Sequence, residues 1–190
     1  MDRLKQMIME RGEVKEGNVL KVDSFLNHQL DVEFLYEVGK EFYNLFKERN
    51  ITKILTIEVS GIAIASMAAL HFKVPVVFAK KTESLNLDKD IYKGKVFSYT
   101  KNKEYNIMIS KKYLNENDKL LIIDDFLAEG NAMKSLINLA HESGATVEGI
   151  GIVIEKGFQQ GGVKLRELGY NLKSLAIIDK MEDNKVLFRE

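Results

Sequence analysis

The chain has 190 residues, 45% hydrophobic and 29% charged, which suits one globular domain with a core large enough to need no staples. Lys plus Arg and Asp plus Glu each total 28, so the formal net charge is zero; no global basic field draws nucleic acid or a membrane surface, and any anion site must be local. Cysteine is absent, which excludes disulfides, a Cys nucleophile and thiolate zinc.

No apolar run approaches the ~18 residues of a membrane span, and the first residues lack the apolar stretch of a signal peptide. A cytoplasmic protein is the expectation. In chain order, residues 1–11 predict a short helix. Residues 12–30 read as an irregular arm with a strand near 19–22. From Asp31, a plausible N-cap, Leu35, Val38, Phe42, Leu45 and Phe46 fall on one helical face. Residues 53–59 (KILTIEV) predict a strand, 62–72 an Ala-rich helix, and 74–79 (VPVVFA) a second strand. A polar loop is expected over 82–94, then a hairpin of 96–100 and 105–110 across a turn at 101–104. Its tyrosines, Tyr99 and Tyr105, suit either packing or a lid. Residues 120–123 (LLII) are aliphatic throughout, as a strand buried on both faces should be, and Asp124 and Asp125 are expected to end it. A helix over 131–142 stopping at Gly144, a strand over 147–154, a short helix over 163–168 and a strand over 174–178 complete the pattern.

Strands alternating with helices predict an α/β fold with a largely parallel sheet. Ligands of such sheets bind beyond the carboxyl ends of the strands. The residues expected there are Glu58 to Gly61, Lys80 and Lys81, Asp124 and Asp125 with the small loop after them, and Glu155 and Lys156. Four charged or glycine-bearing strand ends together point to a polar site.

The segment LLIIDDFLAEGNA, residues 120–132, carries the chemistry. Its strand delivers two carboxylates to the sheet edge. The loop Ala128, Glu129, Gly130, Asn131, Ala132 then opens a helix whose first N–H groups suit a phosphate. The carboxylates would repel that phosphate, so they serve better on sugar hydroxyls or a divalent cation. Together these features describe a binder of a phosphorylated sugar.

This segment resembles the phosphoribosyl pyrophosphate (PRPP) motif of the type I phosphoribosyltransferases. Residues 20–29 (LKVDSFLNHQ), 57–63 (IEVSGIA), 74–81 (VPVVFAKK) and 149–159 (GIGIVIEKGFQ) are similar to the bacterial xanthine branch of that family, in one register over nearly the whole chain. The resemblance implies the type I fold, with an N-terminal hood over about 1–30 that helps form the base pocket and a β-hairpin flap. It implies a homodimeric cytoplasmic purine-salvage enzyme that converts xanthine and PRPP to xanthosine 5′-monophosphate (XMP) and pyrophosphate, with Mg²⁺ on the pyrophosphate rather than in a protein cage.

Carried over by position, Leu20, Asn27 and Lys156 contact xanthine; Ala128, Glu129, Gly130, Asn131 and Ala132 hold the 5′-phosphate; Asp124 and Asp125 face the ribose; Ser60 and Gly61 form the pyrophosphate loop; and Lys81 reaches PRPP. Glu129 and Ala132 stand where many type I loops carry Thr or Ser, so backbone N–H groups must supply more of the phosphate binding. Hypoxanthine, guanine or adenine as the base, and a PRPP-binding regulator without turnover, are the alternatives. The regulator would need a DNA-binding element, and no basic helix-turn-helix precedes the domain.

Overall fold

The computed structural model describes residues 1–81, 90–98, 103–182 and 185–189. Helix α1 (Asp2–Arg11) buries Leu4, Met7 and Ile8. The arm after it is more regular than expected. Strands β1 (Glu13–Lys15) and β2 (Val19–Lys21) pair as an antiparallel hairpin, and a π-helical turn spans Asp23–Asn27. Val22, Phe25 and Leu26 are buried and anchor this arm to the core.

Helix α2 (Val32–Phe46) starts where Asp31 caps it, the carboxylate accepting from the Phe34 N–H at 3.1 Å. Such a cap contributes roughly 1 kcal/mol. Phe34, Leu35, Val38, Phe42 and Phe46 form its buried stripe; Leu45, expected among them, lies at the stripe's edge and is 39% exposed.

A six-stranded sheet forms the centre, ordered β10-β9-β8-β7-β3-β4. Its members are β3 (Lys53–Ile57), β4 (Val76–Ala79), β7 (Lys119–Leu127), β8 (Thr146–Lys156), β9 (Leu172–Glu182) and β10 (Lys185–Phe188). All neighbours pair in parallel except β10, which returns antiparallel along β9. Alternation on β7 divides the core: Leu121 and Ile123 face the side covered by α1, α2 and α3 (Ser60–Phe72), and Leu120 and Ile122 face the side of α4 (Asn131–Glu142) and α5 (Gly161–Glu167). Two glycines of β8 admit aromatic rings. A Cβ on Gly149 would lie 2.4 Å from Phe46, and one on Gly151 would lie 2.8 Å from Phe42. Burying each ring contributes about 1.5–3 kcal/mol, and any side chain at these glycines would displace it.

A separate hairpin, β5 (Ile91–Ser98) and β6 (Lys103–Ser110), packs on the α4 side through Val96, Ile107 and Ile109. Residues 91–94 therefore belong to a strand and not to the expected loop, and Lys103 and Glu104, expected in the turn, belong to β6; 82–89 and 99–102, with Tyr99, lie outside the described residues. The strand expected to end at the acidic pair runs on to Leu127, because β8 keeps pairing with it beyond Asp124. Among the described residues, no helix is long and apolar enough to cross a membrane.

Helix α3 follows β3 on one face of the sheet, and α4 follows β7 on the other. These two strands are neighbours. The crevice beyond their carboxyl ends is thus the topological switch point, where open parallel sheets bind ligands.

Candidate active site

Four turns meet at this edge. From β7, Asp124 is 7% exposed and Asp125 half-buried. The Asp125 N–H donates to Asp124 Oδ1 at 3.0 Å and the Phe126 N–H to Asp125 Oδ1 at 2.9 Å, which fixes both carboxylates against their own backbone. Burial, and next the charge of Asp125, push the Asp124 carboxyl well above its ordinary value. A group held so is costly to ionise alone and readily meets a positive charge.

From β3, the turn at Glu58–Val59, joined by a cis peptide, leads into Ser60 at the start of α3. Gly61 is buried against Thr56 and Asp124. A Cβ there would stand 2.1 Å from Thr56 Oγ1 and 3.4 Å from Asp124 Oδ1. The Thr56 hydroxyl is itself buried without a hydrogen-bond partner among the described residues. From β4, the Lys81 N–H donates to the Glu58 carboxylate, and Lys81 Nζ sits 5.4 Å from the centre of the Tyr105 ring. The Lys81 charge acts on Asp124, although more weakly than burial and Asp125 do. Burial and the nearby Asp124 also raise the Tyr105 phenol above its usual value.

The loop after β7 turns sharply at Gly130, whose φ of 82° favours glycine. Gly130 also packs closely on Gly161: a Cβ at 130 would lie 3.2 Å from the Gly161 Cα. Among the described residues no side chain caps α4, so its first turn has N–H groups to offer a ligand. Glu129 and Ala132 line the cavity beside them. The Asn131 side chain is used differently: its Nδ2 donates to the Phe97 carbonyl of β5 at 3.0 Å, tying the loop to the hairpin.

Lys156, at the end of β8, completes the group. Its Nζ donates to the Asn18 carbonyl in the β1–β2 turn at 2.8 Å. Burial lowers its pKa, as expected for an ammonium losing water. A cavity of about 540 Å³ opens between these parts, lined by Asp124, residues 128–132, Lys156, Tyr105 and the arm residues Gly17 and Val19. Asp124, the start of α4 and a lysine converge on one space large enough for a small ligand.

The phosphoribosyl transferase domain aligns with residues 26–173. The chain belongs to the phosphoribosyltransferase family. This phosphoribosyltransferase is 59% identical over 190 residues to xanthine phosphoribosyltransferase 1 of Clostridium perfringens, covering all of both chains. It is 57% identical over 192 residues to the xanthine phosphoribosyltransferase of Bifidobacterium adolescentis, again over both full lengths. Among solved structures, the Giardia lamblia adenine enzyme complexed with 9-deazaadenine superposes with a TM-score of 0.78 at 23% identity, over 94% of this chain and 98% of that one. That likeness establishes the shared fold.

Within this fold the sequence-derived residues divide. Asp124, residues 128–132 and Lys156 all line the cavity, with Lys81 close by on Tyr105. Gly61 abuts Asp124 from behind. Leu20 does not line it: its side chain is 6% exposed within the core, and its neighbour Val19 faces the cavity instead. Asn27 does not line it either: it sits in the π-helical turn, with its Oδ1 buried and unpartnered among the described residues; Asp125 and Ser60 also stand outside the lining. Residue types alone did not single out Gly17, Val19, Phe126 or Gln159, which line the cavity as well. A tight turn at 17–18 was the only signal for the first two.

Proposed function

We propose that this chain is a xanthine phosphoribosyltransferase, transferring the 5-phosphoribosyl group of PRPP to xanthine and releasing pyrophosphate and XMP. The observation that supports the reading is the cavity in which Asp124, the start of α4 and Lys156 meet. The N–H groups at the start of α4 hold the 5′-phosphate, aided by the helix dipole. Residues 128–132 supply the small turn, and Ser60 and Gly61 supply the loop for the pyrophosphate.

Asp124 and Asp125 face the ribose. Displacement at the anomeric carbon builds positive charge on the sugar ring, and two carboxylates beside it stabilise that charge. Lys81 stands where it can meet the departing diphosphate. Holding base and sugar together removes much of the remaining entropic barrier.

Mg²⁺ fits this chemistry. Among the described residues, no cluster of three or more His, Cys, Asp or Glu side chains forms a cage. A cation that prefers substrate phosphates and one or two carboxylates would find the acidic pair suitable. When bound with PRPP it neutralises charge on the diphosphate.

On the base side, Lys156 offers a cation to the xanthine oxygens and Asn27 an amide to its ring edge. Leu20 acts from within the core by holding Val19 in place. The reading includes a cytoplasmic role in purine salvage and assembly as a homodimer. The exposed Val59 and Leu70, before and on α3, offer apolar surface for a second copy.

Turnover with PRPP and Mg²⁺ on xanthine, hypoxanthine, guanine and adenine, each at equal concentration, tests the proposal. Preference for xanthine is expected. Preference for another base would keep the PRPP site and discard this base assignment. PRPP binding without any turnover would replace the enzyme with a regulator.

A further inference from the structure

Gln159 lines the same cavity as Lys156, three residues along the turn after β8. The turn is pinned on both sides: the Gln159 N–H donates to the Lys156 carbonyl at 2.9 Å, and the Gly157 N–H donates to the Ile178 carbonyl of β9 at 2.7 Å. Both side chains therefore project from a preformed platform. Yet the Gln159 Oε1 is buried with no hydrogen-bond partner among the described residues. Turning the amide over would strand its NH₂ group instead, so one end lacks a partner in either orientation. Buried polar groups in native proteins are nearly always satisfied, because an orphan forfeits its full hydration. The amide can gain a partner by turning into the cavity that Gln159 lines, where a ligand would supply one.

We infer that Gln159 is a base-recognising residue, its side-chain amide pairing with the lactam edge of an oxopurine. This rests on the proposed use of the cavity for a purine base. An N–H beside a C=O offers a donor and an acceptor side by side, matching the C=O and NH₂ of the glutamine. Adenine carries no lactam. Lys156 then supplies charge to the base oxygens while Gln159 reads the edge, two separate forms of discrimination from one turn.

The experiment compares wild type with Gln159→Met, which keeps the length and removes the hydrogen bonds. The expected result is a fall of roughly ten- to hundredfold in kcat/KM for xanthine. KM for PRPP stays within about twofold. The melting temperature of the ligand-free protein is unchanged or higher, because an unpartnered polar group has been removed from a buried position. Gln159→Ala, which fits any local space, should show the same split if methionine crowds the turn. A lower melting temperature with unchanged xanthine KM would assign Gln159 a structural role and overturn the inference. Equal increases in KM for xanthine and PRPP would overturn it too. If wild type prefers hypoxanthine or guanine, the xanthine assignment fails separately, and the same split is expected on that base, which carries the same edge. If no base turns over and calorimetry with xanthine gives no binding that Gln159→Met weakens, the inference fails.

Discussion

Asp124 and Glu155 stand on neighbouring strands, near the same edge of the sheet, and both are buried: 7% and 1% exposed. Their surroundings differ. Glu155 accepts from both terminal nitrogens of the Arg166 guanidinium at 2.7 Å and also from the Ser174 hydroxyl. Burial pushes its pKa up, but Arg166 and Ser174 together outweigh that and hold it below the ordinary value. Asp124 has its neighbour's N–H, the adjacent Asp125 charge and a more distant Lys81; burial dominates, and its pKa moves the other way. A buried carboxylate with its countercharge built in belongs to the scaffold, whereas one without it is prepared for a charge that arrives. Comparing the two locates the chemistry better than counting acidic residues.

The largest effect that would break this comparison is on turnover. Asp124→Asn and Asp125→Asn should each cut kcat by about a hundredfold or more, the scale for losing one preorganised electrostatic group. The fold should stay intact by circular dichroism, and wild-type kinetics would remove both residues from the ribose site. Next in size, Arg166→Ala leaves Glu155 buried without its partner. Stability in urea should fall by about 3 kcal/mol, the low end for a broken buried pair because the Arg166 side chain is 37% exposed. Lys156→Ala should lose more kcat/KM for xanthine than Leu20→Ala, since one removes charge at the cavity and the other packing behind it. Equal losses would sink the charge argument. Ser174→Ala removes one hydrogen bond from the satisfied carboxylate and should cost about 1 kcal/mol in the same urea assay.

The smallest effect is in the pH dependence of ligand-free stability, where the two carboxylates have opposite signs. Glu155, with its folded pKa lowered, contributes stability above its unfolded pKa that is lost as pH falls through the folded value. Asp124, with its folded pKa raised, costs stability as pH rises from its unfolded value through its folded one. Asp124→Asn should therefore gain on wild type as pH rises across that interval. A constant gap between the two proteins would contradict the direction given for Asp124.

Much of this was legible in the sequence, for reasons that can be named. Leu120 to Ile123 are aliphatic because both faces of β7 are covered, so the strand and its acidic end were readable. That β7 continues to Leu127 was not, since pairing with β8 is a tertiary matter and propensity reads Asp as a breaker. The strands β1 and β10 escaped notice because they are short and half-exposed, without a clear apolar alternation. Asn131 was placed in the phosphate loop from its position; its side-chain bond to Phe97 joins residues 34 apart and has no local signature. Glu155 read as one more charged strand end, and only Arg166 and Ser174 reveal it as part of the frame.

The bond from Lys156 to the Asn18 carbonyl spans 138 residues of chain. Closing such a distance is among the slower events for a folding polypeptide. During synthesis, the N-terminal turn waits for most of the chain before this wall of the cavity can form. A base bound against Lys156 would thus favour only the finished molecule over its incomplete precursors, and substrate would act as a selective stabiliser of completed copies.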